Sequence, residues 1–274
     1  MSAPDNKQRL YCKECNKDQN ESIIFLHGGG GSHIEWKHIT SQPAMTSYHL
    51  ILVDLPMHSE SRDIKPFTLE MAADKVREII CDHAHREKAH VVGFSLGGFV
   101  ALVLTSRHPD IVLSTFATGA YPYRGLFKWV MERPIAMWIV GKVQNIPGLT
   151  ERALQRQGID YEEWMTEQEK NKSPERDEAM RRELIEFNME DVKAVGDSGV
   201  RTCVVAGGKM DQVEAIKEMG VVLRKRGDEK GVENDAVVVR DAYHPWHLQL
   251  PKLFATGVTA WVGNQELPKE FERL

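Results

Sequence analysis

The residue best placed to do chemistry is Ser95, at the centre of the pentapeptide Gly93-Phe94-Ser95-Leu96-Gly97. A β-branched run precedes it and apolar residues at helical spacing follow it, so the pattern predicts a strand, a sharp turn and a helix. The glycines on either side make room for a strained backbone at Ser95. Such a turn exposes the Ser95 hydroxyl and aims the Leu96 amide, at the helix N-terminus, at whatever Ser95 attacks.

A serine hydroxyl becomes an effective nucleophile only beside a base that a carboxylate orients. Asp211 and His244 follow two later apolar runs and complete a nucleophile, an acid and a base in the order Ser, Asp, His. We favour His244 over His247, and Asp211 over Glu214, which should lie one turn into a helix. These residue types predict acyl transfer on Ser95.

Residues 28–31 are four consecutive glycines, here called the glycine loop, which follow the apolar run Glu21–Leu26 and His27. A floppy turn would explain them, and so would a loop whose backbone N–H groups approach a ligand. The second glycine-bounded turn, at Ser95, favours the ligand loop. We expect His27 to brace it as a structural residue.

The elements that must position these residues alternate along the chain. Apolar runs predict strands at Tyr48–Val53 and Ile111–Ala117, and helical periodicity covers Phe67–Arg86, with Thr68 as a plausible N-cap. This alternation predicts an α/β fold with a mostly parallel central sheet and helices on both faces. Chemistry in such a sheet collects outside the carboxyl ends of the strands, where the candidate residues stand.

The alternation breaks between residues 121 and 195, a segment rich in aromatic residues, methionine and charge. Pro134 and Pro147 would interrupt its helices. We therefore predict an inserted helical cap at 121–195, between the core segments 1–120 and 196–274.

The first part of this cap, Gly125–Gly141, is apolar on nearly all sides, so it must be buried, line a pocket, or meet a membrane or a partner. We predict that Trp129 and Trp138, together with Phe94, bind substrate, and a homodimer contact through the cap is the alternative use. The charged part, Glu162–Glu190, is most simply a solvated face.

The composition disfavours several classes of partner. A net charge of −5 and a pI near 6.1 give no basic field for nucleic acid or for an anionic membrane. No apolar run reaches the roughly 18 residues of a membrane span, and Met1–Arg9 contains no signal core. We expect a cytoplasmic protein whose partner is a small-molecule substrate.

Four cysteines, at positions 12, 15, 81 and 203, are too few and too scattered for a disulfide framework. The C-x-x-C of Cys12 and Cys15 suits a redox pair or half a zinc site, but no second pair stands nearby at metal spacing. We expect no metal and no cofactor.

Together, the serine turn, the glycine loop and the late Asp and His resemble the α/β-hydrolase superfamily, in its single-domain branch with a helical cap. The resemblance covers about residues 20–120 and 200–265. It implies an oxyanion hole formed by the amides of Gly29 and Leu96, with Gly30 as the alternative to Gly29. It also implies that Asp54 is structural.

Two segments depart from the family pattern. Glycines usually stand where the loop Asp54-Leu55-Pro56-Met57-His58-Ser59 has Met57 and Ser59, so the resemblance does not fix the backbone path there. In addition, Ala242 and Tyr243 precede His244, where the family often has glycine.

Because Ser95 is not a carboxylate, the sequence disfavours relatives of the dehalogenase and epoxide-hydrolase type. It predicts cleavage of a small or medium apolar ester, lactone or thioester. A cofactor-free lyase with the same triad is one alternative, since Ser95-Leu96-Gly97-Gly98 resembles the menaquinone-pathway synthases. However, Phe99 stands where those have arginine. A ligand receptor on the same fold is the other alternative.

Overall fold

The computed structural model describes residues 9–133, 135–136 and 149–274. Within them the chain forms one eight-stranded sheet in the order β1-β3-β2-β4-β5-β6-β7-β8. The strands are β1 (Cys12–Cys15), β2 (Ser22–Leu26), β3 (His49–Val53), β4 (Ala89–Phe94), β5 (Val112–Thr118), β6 (Thr202–Gly207), β7 (Asp235–Val239) and β8 (Glu272–Arg273).

The six inner strands, from β3 to β7 in the sheet order, run parallel, and the edge strands β1 and β8 run antiparallel. Strand β2 is buried on both faces: Ile24 and Leu26 join one hydrophobic core, whereas Ile23 and Phe25 join the other. Because both faces are covered, the strand is an unbroken apolar run. The predicted α/β class is confirmed.

The helices cover both faces of the sheet. They are α1 (Lys37–Thr40), α2 (Leu69–His83), α3 (Leu96–Arg107), α4 (Gly125–Met131), α5 (Leu149–Gln157), α6 (Tyr161–Lys170), α7 (Pro174–Glu186), α8 (Met189–Asp197), α9 (Val213–Lys230), α10 (Trp246–Gln249) and α11 (Pro251–Val262). Short 3₁₀ helices lie at His33–Trp36, Pro43–Met45, Ser59–Ser61 and His85–Glu87. Helices α2, α3, α8 and α9 pack on one face, and α1 and α11 pack on the other.

Helix α2 begins where the sequence predicts. The Thr68 side-chain oxygen accepts a hydrogen bond from the Met71 amide at 3.0 Å, which satisfies one of the free N–H groups of the first turn. The predicted N-cap is confirmed.

Between β5 and β6, the described residues form helices and no strand. The last of these helices, α8, packs against α3 and α9, so it lies on the core rather than over the strand ends. The division into core segments 1–120 and 196–274 and a cap at 121–195 stays a prediction.

None of the described helices is long and apolar enough to cross a bilayer. All four cysteines are unpaired. Burial raises the pKa of the Cys12 thiol to about 11, which disfavours the reactive thiolate of a redox pair. The described residues contain no group of three or more His, Cys, Asp or Glu side chains that could hold a metal ion.

Candidate active site

Three side chains from three different strand ends meet at the carboxyl edge of the sheet. The Nε2 atom of His244, after β7, lies 3.0 Å from the Oγ atom of Ser95, after β4. The Nδ1 atom of the same ring lies 2.5 Å from the Oδ1 atom of Asp211, after β6. The structure thus brings together the predicted nucleophile, base and acid in one hydrogen-bonded chain.

The turn at Ser95 has the predicted strain. Its backbone lies at φ 50° and ψ −115°, a conformation that ordinary residues rarely adopt. A Cβ atom at Gly93 would lie 2.2 Å from the Gly97 carbonyl oxygen, and one at Gly97 would lie 2.0 Å from the Leu26 carbonyl oxygen. Glycine is therefore required at both positions for the strand to turn directly into α3.

The acid and the base are each held by backbone groups. The buried Asp211 carboxylate accepts a hydrogen bond from the Gly207 amide at 2.7 Å through its second oxygen, which leaves Oδ1 for His244. Gly119, at φ 65°, closely approaches the imidazole: a Cβ atom there would lie 2.6 Å from its Cε1 atom. Gly119 was not predicted from the sequence, where its only signal is its place directly after β5.

The two rival residues lie elsewhere. His247 is fully buried, with its Nε2 atom 2.8 Å from the Oε1 atom of Glu35, at an angle outside hydrogen-bond geometry. Burial by itself would raise the pKa of Glu35, but the adjacent His247 ring and the hydrogen bond from the Gly28 amide hold that pKa below its usual range. Glu214 is exposed in the first turn of α9.

The amides of the glycine loop are divided between protein acceptors and the site. The Gly28 amide donates to Glu35 Oε2 at 3.0 Å, and the Gly30 amide donates to His58 Nε2 at 3.1 Å. The Gly31 amide donates to the Gly28 carbonyl oxygen at 3.1 Å. Because Gly30 is engaged, it cannot replace Gly29 as a donor in this arrangement.

The amides of Gly29 and Leu96, by contrast, have no acceptor in the part of the chain that the structure describes. Leu96 is the first residue of α3, where an N–H group has no partner within the helix. Gly29 lines the cavity in front of Ser95. These are the two amides that the resemblance assigns to the oxyanion hole.

Two buried histidines brace the glycine loop. His27 Nε2 accepts from the Leu55 amide at 3.0 Å, so its Nδ1 carries the proton and donates to the Gly28 carbonyl oxygen at 2.7 Å. His58 accepts from Gly30 in the same way and donates to the Pro56 carbonyl oxygen at 2.9 Å. Burial lowers the pKa of both rings, which keeps them neutral. The expected brace at His27 is present; His58 was missed.

The loop after β3 keeps an unusual backbone path without glycine. Met57 and Ser59 have φ angles of 63° and 41°, in the region that favours glycine. Asp54, which the resemblance makes structural, is buried and accepts from the amide of His33 at 2.6 Å and from its Nδ1 at 2.9 Å. Among the described residues, Asp54 makes no hydrogen bond to Ser95, so it does not take the place of Asp211 or His244.

A cavity of about 510 Å³ opens at the Ser95–His244 pair. The core side contributes Phe94 and the glycine loop, and α5 and α6 contribute the opposite side. Its apolar lining includes Phe94, Leu154, Ile159, Trp164, Met210 and Leu248.

Of the three predicted substrate-binding residues, Phe94 lines the cavity and Trp129 does not. The Trp129 side chain is 48% exposed on α4 and lies under the Arg133 guanidinium, 4.3 Å from it. Trp138 lies outside the described residues. Trp164 supplies the aromatic wall instead. It lies in the charged segment Glu162–Glu190, so the expectation that this segment is only a solvated face is wrong at α6, which lines the cavity.

Comparisons with known proteins agree with this architecture. Residues 21–138 match the family model described as alpha/beta hydrolase fold. A carboxylesterase structure from the thaumarchaeon Nitrososphaera gargenis superimposes with a TM-score of 0.71 over 96% of this chain and 97% of its own, at 18% identity. The chain has the α/β-hydrolase fold.

Two sequence relatives extend the comparison. An AB hydrolase superfamily protein of Gibberella zeae is 28% identical over 92% of this chain and 83% of its own length. A pimeloyl-[acyl-carrier protein] methyl ester esterase of Neisseria meningitidis is 35% identical over 105 residues, which are 38% of this chain and 31% of that esterase. Together the comparisons support a hydrolase of this fold.

Proposed function

We propose that the protein is a serine hydrolase that cleaves a small or medium-sized apolar ester, lactone or thioester through an acyl-enzyme on Ser95. One observation carries the proposal: Ser95, His244 and Asp211 are joined by hydrogen bonds, and Ser95 and His244 line the same cavity as Gly29. The amides of Gly29 and Leu96 have no acceptor among the described residues. A nucleophile, a base, an orienting acid and oxyanion donors are the parts that acyl transfer requires.

The geometry suggests the order of proton movements. The Ser95 Oγ atom attacks the carbonyl carbon while His244 Nε2 takes its proton, and the adjacent Asp211 carboxylate stabilises the imidazolium. The amides of Gly29 and Leu96 would then hold the negative oxygen. His244 returns the proton to the leaving alcohol or thiol, and water releases the acyl group by the same route.

The cavity supports an uncharged, largely apolar substrate. Its volume of about 510 Å³ is in the usual range for small-molecule sites, and most of its lining is hydrophobic. Among the residues that the structure describes, its lining contains carboxylates but no lysine or arginine that could neutralise an anionic acyl chain. An ester with a carboxylate on its acyl chain should therefore be a poor substrate.

A panel of chromogenic esters, thioesters and lactones, run on the wild type and on Ser95→Ala in parallel, tests the proposal. Turnover should fall by about 10⁴- to 10⁶-fold in the variant, because the nucleophile is lost. A fluorophosphonate probe should label the wild type at Ser95. Ester turnover that survives in Ser95→Ala, or absence of labelling, would contradict the assignment.

Neither alternative gains a specific observation. Phe99 is fully buried and packs against Phe187 with ring centroids 5.0 Å apart, so this position presents no cation to a substrate. Labelling of Ser95 without turnover of any ester would favour the lyase, and absence of labelling would favour the receptor.

The remaining expectations stay predictions. They are a cap formed by residues 121–195, a cytoplasmic location, and a homodimer contact through the cap. Helix α4 bears the exposed apolar side chains of Leu126 and Trp129, which suit such a contact.

A further inference from the structure

The end of helix α6 is tied to the glycine loop by side chains that lie far from it in sequence. The Ser32 hydroxyl, one residue beyond the loop, donates to Glu167 Oε2 at 2.5 Å. Gln168 Nε2 donates to the Gly29 carbonyl oxygen at 3.4 Å. Asn171, just after α6, makes two hydrogen bonds to the glycine loop, and neither its residue type nor its position in the sequence indicates this.

Three of the four hydrogen-bonding positions of the Asn171 side-chain amide are used, including both N–H donors. Its Nδ2 atom donates to the carbonyl oxygens of Gly30 and Gly31 at 3.1 and 3.0 Å, and its Oδ1 atom accepts from the Ser59 amide at 2.7 Å. The opposite orientation would face oxygen to two carbonyls and NH₂ to an N–H group. The partners therefore determine the orientation of the amide.

The backbone at Asn171 is also held. Its amide donates to the Glu167 carbonyl oxygen at 3.0 Å, and its carbonyl oxygen accepts from the Arg176 guanidinium. Asn171 and Arg176 are only 6% and 4% exposed, so water does not readily compete for these bonds. The backbone that carries the Asn171 side chain is therefore held in one position.

These contacts matter because glycine alone cannot hold a backbone. A run of four glycines has more conformational freedom than any other four residues. A backbone amide without a fixed position does not stabilise an oxyanion. Glu35 holds the peptide before Gly28, and His58 holds the one after Gly29. His27 holds the carbonyl oxygen of the peptide that carries the Gly29 N–H, and Asn171 holds the two peptides that follow Gly30 and Gly31. The Gly29 N–H itself is left free.

We propose that Asn171 is a positioning residue for the oxyanion hole: from the cap side of the cavity, it fixes the glycine-loop backbone so that the Gly29 amide faces the reacting carbonyl. This inference rests on the proposed function, because it needs the Gly29 amide as an oxyanion donor. It makes the catalytic geometry of the core depend on a residue outside it.

Two variants separate this role from simple packing. Asn171→Ala removes the donors, and Asn171→Asp keeps the volume but faces a carboxylate to the two carbonyl oxygens. We expect kcat to fall by about 10- to 100-fold with KM changed less than about threefold, since a misplaced oxyanion donor weakens the transition state rather than the bound substrate. Lys172→Ala, at an exposed neighbouring position, is the matched control and should keep wild-type constants.

A second measurement does not depend on ester turnover. When a fluorophosphonate reacts, the Ser95 Oγ–P bond forms, the P–F bond breaks, and the hydroxyl proton passes to His244. The transition state places negative charge on the phosphoryl oxygen, so the labelling rate constant should fall about as much as kcat in both variants. Thermal unfolding of each variant establishes that it is folded, and Asn171→Asp serves if Asn171→Ala does not fold.

Folded Asn171 variants that label Ser95 and turn over esters within twofold of the wild type would overturn the inference and leave the proposed function intact. A rise in KM at unchanged kcat would also overturn it, because it would assign Asn171 to substrate binding. If the wild type itself shows no reaction at Ser95, the proposed function fails, and this inference fails with it.

Discussion

The two sides of the cavity are built differently. On the core side, Ser95, His244, Asp211 and the glycine loop are held by hydrogen bonds between strand ends and backbone groups. On the helical side, α5 and α6 contribute mainly side-chain surface, including Leu154, Ile159 and Trp164. Hydrogen bonds fix the positions of the reactive groups on the core side, whereas the apolar side chains of the helical side set the size and shape of the cavity.

This difference assigns separate tasks to the two sides. Hydrogen-bonded groups at fixed angles can stabilise charge that develops in a transition state. Apolar walls add binding that is similar for the substrate and the transition state. Changes on the core side should therefore alter kcat, and changes to the apolar wall on the helical side should alter KM and chain-length preference. Asn171 belongs with the core side in this respect, because its side chain bonds to the glycine loop.

Among changes that keep the Ser95 nucleophile, the largest effect should come from Asp211→Asn on the core side. Because the Gly207 amide needs an acceptor, the new amide should face its NH₂ group to His244 Nδ1, which then must accept. The proton moves to Nε2, and the base toward Ser95 is lost, so kcat should fall by about 10³- to 10⁴-fold. Steady-state kinetics with a chromogenic ester measure this.

Asp241→Asn is the control for the same chemical change. Asp241 is 92% exposed, 3.3 Å from Lys209, and its replacement should leave kcat unchanged. A kcat for Asp211→Asn within tenfold of the wild type would show that the core side tolerates the wrong tautomer.

The second effect is a pH dependence of the core side. The pKa of His58 is lowered by burial, so below the ordinary value near 6.5 the unfolded chain takes a proton that the folded chain refuses. The free energy of unfolding should therefore fall as pH falls below about 6.5, by up to about 1.4 kcal/mol per pH unit for each such histidine.

Urea unfolding of the wild type and of His58→Gln between pH 5 and 7.5 measures this slope. The variant keeps an acceptor for the Gly30 amide but cannot titrate, so its slope should be smaller by close to one proton. Equal slopes would mean that His58 is protonated in the folded protein.

On the helical side, Trp164→Ala should raise KM for short acyl chains by about tenfold, because an apolar wall is lost. Longer acyl chains should recover the loss by filling the added space, and kcat should change little. KM values across a series of p-nitrophenyl esters measure the effect.

Trp129→Ala is the matched control, since this tryptophan does not line the cavity and should leave the series unchanged. If Trp164→Ala lowers kcat as strongly as Asp211→Asn, the separation of the two sides is wrong.

The smallest predicted effect is a change in stability at Ser59. The Ser59 amide donates to Asn171 Oδ1 and so joins the core side to the helical side. Ser59→Gly relieves a positive φ angle and removes a buried hydroxyl that lacks a partner among the described residues, while the amide bond to Asn171 remains. The free energy of unfolding should rise by about 0.5–1 kcal/mol. Thermal or urea unfolding measures it.

Ser61→Gly, in the same 3₁₀ helix, should do the opposite. The Ser61 Oγ atom accepts a hydrogen bond from the Tyr11 amide at 2.9 Å, and its φ angle is ordinary. If both Ser59→Gly and Ser61→Gly stabilised the protein, the cause would be the greater backbone flexibility of glycine and not relief of the positive φ angle at residue 59.

The sequence was sufficient to predict the reactive residues of the core side because their signals are local. Reactive residue types follow apolar runs, and the glycines beside Ser95 are spaced as the turn requires. Parallel strands bring their carboxyl ends to one edge, so residues far apart in the chain could be predicted to meet. The Thr68 cap was predictable for the same reason.

The helical side and the supports of the glycine loop had no such signal. Trp129 lies in an apolar segment of the sequence and Trp164 in a charged one, yet packing places Trp164 at the cavity and leaves Trp129 outside it. Asn171 and His58 are ordinary polar residues whose importance comes from partners more than 25 positions away. At Met57 and Ser59, tertiary contacts impose a backbone that neither residue type favours.

Gly119 carries a consequence for redesign. Strand β5 provides no reactive side chain, yet the absent methyl group at its end leaves the space that the His244 imidazole occupies. A methyl group at position 119 would push against the His244 imidazole and tilt it. The hydrogen bonds from this ring to Ser95 and to Asp211 would then both lengthen. Position 119 is therefore where a single atom could disable the enzyme while every reactive group is retained.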